Sequence, residues 1–104
     1  MPGDFAKYVA AIKERYQFPF ASYSLDLKGF HLELKLNKSQ INTFNRNKNK
    51  LAEYKYKAEM LAAQKANTPL AFVRQIELNC SNDTLYLSGS PDAIEAFIYQ
   101  IFSI

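Results

Sequence analysis

The sequence has no tryptophan, one cysteine, one histidine, three glycines and four prolines. Each shortage closes an option. A lone cysteine, Cys80, forms no internal disulfide, so the fold does not depend on oxidation. One Cys and one His cannot supply the ligand spacing of a structural zinc site. Carboxylates are scattered, without the paired set of an acid–base mechanism or a divalent-metal cage. The glycines build neither a G-x-G-x-x-G nor a G-K-[ST] loop. No metal, cofactor or catalytic set is therefore expected, and the chain reads as a non-enzyme. No apolar run approaches the roughly 20 residues that span a bilayer. The start, MPGDFAKYVAAIKERY, lacks the basic and apolar regions of a signal peptide. No membrane association is expected, and the cytoplasm is the default location.

What remains is a chain of 104 residues, a single domain over 1–104 by length. Seven tyrosines and eight phenylalanines give it large side chains for a core. Net charge is +3, unevenly placed. Between Lys38 and Lys65, seven basic residues face only Glu53 and Glu59, so that segment carries +5 and the remainder −2.

Five elements follow from the patterning. Phe5, Tyr8, Val9, Ile12 and Tyr16 recur at helical spacing, with Asp4 as a candidate cap and Pro19 ending the run. Tyr23, Leu25 and Leu27 alternate with polar residues; after Gly29 the phase changes to Phe30, Leu32, Leu34 and Leu36. That is a hairpin turning at Lys28-Gly29, with Leu27 opposite Phe30, Leu25 opposite Leu32 and Tyr23 opposite Leu34. From Ser39 to Asn67 no Pro or Gly intervenes, which predicts one long helix. Phe44, Leu51, Tyr54, Ala58, Leu61 and Ala62 share its inward side, interrupted by Asn47. A second hairpin turns at Asn82-Asp83 and sets Cys80 opposite Leu85 and Leu78 opposite Leu87. Ser90, Pro91 and Asp92 open a last helix that is apolar nearly all round, so it is either central or covered.

The expected fold is α+β: an antiparallel sheet of two hairpins with helices packed on one face, in the order α-β-β-α-β-β-α. A ββα duplication is open. Leu32, Leu34, Ile41 and Phe44 match Leu85, Leu87, Ile94 and Phe97 without gaps.

The candidate sites are few. Asp26 and His31 face one another across the first hairpin, as a surface pair or an imidazole oriented for base work. Cys80 falls on the inward phase of its strand and reads as a small buried hydrophobe. The helix start at LSGSPDA could hold an anion, but Asp92 already occupies its positive end. Two binding surfaces remain. Ala52, Tyr56, Met60 and Ala63 form a second helix stripe that cannot face the same sheet as Phe44. With Phe102 of the last helix, they are the candidate protein interface. Arg46, Lys50 and Lys57 form a basic ridge beside Lys48, the candidate nucleic-acid contacts on the helix 38–65. The expectation is a small non-catalytic interaction module, a homodimer or an adaptor for another protein; nucleic-acid binding is the alternative.

Overall fold

The computed structural model describes residues 2–103. The elements are α1 (Pro2–Tyr16), β1 (Phe20–Asp26), β2 (Gly29–Lys35), α2 (Lys38–Arg46), α3 (Leu51–Ala66), β3 (Glu77–Ser81), β4 (Thr84–Gly89) and α4 (Pro91–Phe102). Short 3-10 turns at Lys48–Lys50 and Leu70–Phe72 join them. The class is α+β as the patterning predicts, but the order is α-β-β-α-α-β-β-α, with four helices.

The extra helix comes from a break in the middle segment. Asn47 ends α2, and its side-chain amide donates to the Thr43 carbonyl at 2.8 Å. That carbonyl would otherwise take the backbone N–H of Asn47 in a continuing helix. Asparagine competes with its own backbone in this way, which is why it is poor inside helices and good at their ends. The chain then makes one tight turn and restarts at Leu51. The consequence is a change of phase. Phe44, Ala58 and Ala62 are buried, whereas Leu61, expected on the same stripe, is 51% exposed.

Other boundaries have local causes. Pro2 already lies in α1, so Asp4 sits in the first turn and is not its cap. The helix closes at Gln17, whose φ of +61° is left-handed, and Phe18 N–H reaches back to the Lys13 carbonyl at 3.1 Å. Asn67 closes α3 in the same conformation, at φ +56°. At the start of α2, Asn37 and Gln40 exchange side-chain and backbone hydrogen bonds at 2.8 Å. Gln40 also donates to the Tyr16 carbonyl at 2.6 Å, which fastens α2 to the end of α1.

The first hairpin is displaced by two residues from its expected register. Leu25 faces Phe30 and Tyr23 faces Leu32, leaving Leu27 fully exposed at the turn. Asp26 moves the turn: its Oδ1 accepts the Lys28 N–H at 2.7 Å. Gly29 then takes a φ of +117°, which β-carbon residues resist. A two-residue shift preserves the faces, so inward residues stay inward. The second hairpin has the expected register, Cys80 with Leu85 and Leu78 with Leu87. Asn82 takes the left-handed position, at φ +57°.

The strands form one antiparallel sheet in the order β1-β2-β4-β3. At its centre Leu32 faces Leu87 and Leu34 faces Leu85. A local two-fold between β2 and β4 exchanges these two pairs. The gap-free sequence match puts Ile41 and Phe44 on α2 where Ile94 and Phe97 stand on α4, with Asn37 and Ser90 as the respective N-cap positions. The leucines of the central strands pack under Ile94, Phe97, Ile98 and Ile101 of α4, all buried. Helix α4 is therefore central, which explains its apolar girth. Each such side chain contributes about 1.5–3 kcal/mol of burial.

Candidate binding surface on the uncovered sheet face

All helices lie on the leucine side of the sheet, and strand alternation turns every second residue to the other side. Two cross-strand rows form this open face. One runs Ser24, His31, Ser88, Glu77; the next runs Ser22, Glu33, Tyr86, Asn79. Together they line a shallow trough of about 400 Å3. Among the described residues its carboxylates are Glu33 and Glu77, and neither Lys nor Arg lines it. Among the described residues neither carboxylate is in an ion pair. Lys35, in the next row, is engaged by Asp83 at 3.7 Å. Tyr86 stands in the trough with 41% of its surface exposed.

Asp26 and His31 meet at the rim, although the register change makes them diagonal neighbours. His31 Nε2 lies 2.9 Å from Asp26 Oδ1. That hydrogen bond, and then the Lys28 N–H, hold the Asp26 carboxyl below its ordinary range. No nucleophile among the described residues is hydrogen-bonded to this pair.

Cys80 corrects an expectation. Its register is inward, yet it is exposed, because β3 is an edge strand that the helices overhang only in part. Partial burial pushes its thiol up, against the Lys48 ammonium, and the Asp83 carboxylate adds to the rise. This is the reverse of an activated thiolate.

No protein-family model, curated protein or solved structure matches the chain.

The candidate contacts on the middle segment are scattered by the helix break. Arg46 ends α2, Lys48 and Lys50 lie on the 3-10 turn, and Lys57 is on α3, held by Glu53 at 3.1 Å. Arg46, Lys50 and Lys57 therefore do not share one continuous helix, and Arg46, Lys48 and Lys50 are exposed at or beside the turn. Of the expected interface, Ala52 and Tyr56 are exposed and Met60 is half-buried. Ala63 and Phe102 are buried within the chain itself, Phe102 edge-on to Phe18 with centroids 5.3 Å apart. At the start of α4, Asp92 faces Lys65 at 3.3 Å.

The trough residues had no signal of their own in the sequence. The polar phase of each hairpin was readable, but the trough exists only because β2 pairs with β4. That pairing joins residues 49 to 59 positions apart and has no local signature.

Proposed function

We propose that this chain is a non-catalytic protein-interaction module that binds on its open sheet face and adjoining strand edges. One observation carries the reading: the sheet is covered on one side only, and the other side is a trough flanked by unpaired edges, β1 and β3. An unpaired edge accepts an added strand through main-chain hydrogen bonds, and the alternate side chains of that strand would lie over the trough. The β1 edge also exposes Phe20 and Leu25. A second copy could use the same edge, giving a homodimer with a sheet continuous through both chains. Light scattering at micromolar concentration, with an amide NMR map, tests both forms. Perturbations on β1 to β4 with peptide, or a dimer mass with perturbations on β1 or β3, support the module. A monomer whose sheet amides respond to no peptide removes it.

One observation favours nucleic acid as a second reading. Arg46, Lys48 and Lys50 share an exposed turn, and none is in an ion pair among the described residues. Such binding would weaken steeply with salt as counterions are released. Absence of binding at about 50 mM salt, or binding unchanged in a Lys48→Glu/Lys50→Glu variant, rules it out.

A further inference from the structure

We infer that the occupant of the open sheet face is an extended basic peptide segment, with an Arg or Lys head group seated over Tyr86 between Glu33 and Glu77. This rests on reading that face as a protein-binding surface. Charge is the first argument. The chain is net positive, yet among the described residues the trough presents two carboxylates and no Lys or Arg. Neither carboxylate is neutralised by an ion pair among the described residues. An anionic partner would be repelled here; a cationic one gains two counter-charges.

Geometry narrows the ligand. Tyr86 is the direct cross-strand neighbour of Glu33, so their β-carbons stand about 5 Å apart. A cation above the Tyr86 ring meets the negative face of the ring and the Glu33 carboxylate together. A guanidinium suits this best, since it stacks on a ring while giving two parallel hydrogen bonds to a carboxylate. Glu77 lies on β3, on the far side of β4 from Glu33. Two strand spacings and a two-residue offset along the strands put the two positions about 12 Å apart. On an extended peptide, residues i and i+2 point the same way about 7 Å apart, and long basic side chains bridge the difference. Ser22, Ser88 and Asn79 supply polar groups to the peptide between its cations.

The test is a fluorescence-anisotropy titration of the whole chain at low salt. The probe is a labelled Arg-Ser-Arg-Ser-Arg peptide, with Glu-Ser-Glu-Ser-Glu and Val-Thr-Val-Thr-Val as comparisons. The Arg peptide is expected to bind, with amide shifts centred on β2 and β4. Tyr86→Ala should weaken it about tenfold while Tyr86→Phe retains it. A Glu33→Gln/Glu77→Gln variant should weaken it about tenfold or more. These side chains are outside the core, and a thermal melt verifies that each variant folds. Equal binding of all three peptides, or Arg-peptide binding unchanged in Glu33→Gln/Glu77→Gln, overturns the inference. If the Val-Thr peptide alone shifts the sheet amides, the basic occupant is wrong while the interaction surface stands. If no peptide shifts them, both fall. Shifts confined to the Lys48–Lys50 turn also overturn it.

Discussion

The carboxylate of Glu59 accepts the backbone N–H of Ile76 at 2.8 Å, and both residues are buried. A charged side chain on α3 thereby holds the segment that enters β3, in place of the surface pair with Lys55 that helical spacing allows. A buried N–H that loses its only partner costs about 1–3 kcal/mol. Glu59→Ala should therefore destabilise the fold by about 2–3 kcal/mol, lowering the melting midpoint by roughly 10 °C or more. Glu59→Gln keeps an acceptor oxygen and should cost about 1 kcal/mol or less. Urea denaturation of the two variants decides it; equal losses would mean that the hydrogen bond contributes nothing.

The Asp26–His31 contact predicts an acid sensitivity of the first hairpin. The folded chain prefers the Asp26 carboxylate, whose affinity for a proton is lowered from the ordinary 3.8, first by His31 and then by Lys28 N–H. The associated stability is present above the unfolded value and is lost as pH falls through the lowered folded one. A carboxyl-detected NMR titration should find Asp26 below its ordinary value, and His31→Ala should move it back up. An unchanged Asp26 midpoint in that variant would assign the effect to the turn backbone alone.

Where the fold departs from its sequence pattern, the causes are physical. Inward and outward phases were legible because strand periodicity is local: Leu32, Leu34, Leu85 and Leu87 could face only a core. Cys80 departs from its inward phase, because burial depends on how far the helices overhang an edge strand, and no spacing encodes that. Asn47 was visible as an interruption of the apolar stripe. Its effect was not, since a polar residue on a stripe and a helix end look alike until the Thr43 carbonyl is seen to be taken. The turn in the first hairpin moved for a similar reason: Asp26 captures a backbone N–H, and side-chain capture outweighs the preference of Lys28-Gly29. Strand order, and with it the trough, needed contacts between the two halves.

Alkaline pH should loosen the junction of α1 and α4. The Tyr8 hydroxyl donates to the Pro91 carbonyl, joining the two helices. Burial, then the Glu95 and Asp92 carboxylates, raise its phenol far above the ordinary 10; burial also raises Tyr16, against the Arg15 guanidinium. A raised value means that the folded state holds the proton. The stability it contributes is intact below about 10 and declines as pH climbs from there toward the folded value. Tyr8→Phe should cost about 1 kcal/mol at neutral pH and flatten that alkaline decline. Denaturation midpoints at pH about 8 and about 10.5 measure both effects; a variant as alkali-sensitive as the parent chain would place the titration elsewhere.

Gly89 and Gly29 offer a paired comparison in which only one glycine is hemmed in by backbone. Both have positive φ, +142° and +117°. A β-carbon at Gly89 would stand 3.1 Å from the Gln75 carbonyl oxygen, in the segment that Glu59 fixes through Ile76. At Gly29 its nearest neighbour is Arg74 Nε at 3.3 Å, on a long side chain that can swing aside. The two substitutions share a conformational penalty of about 1–3 kcal/mol. Gly89→Ala adds a displacement of main chain at the entry to β3, so it should be the more damaging by about 1 kcal/mol or more. Urea denaturation of the two alanine variants gives the difference directly. If Gly29→Ala is equally costly, φ alone sets the penalty, and the close approach of Gln75 to β4 is not what requires a glycine at the end of that strand.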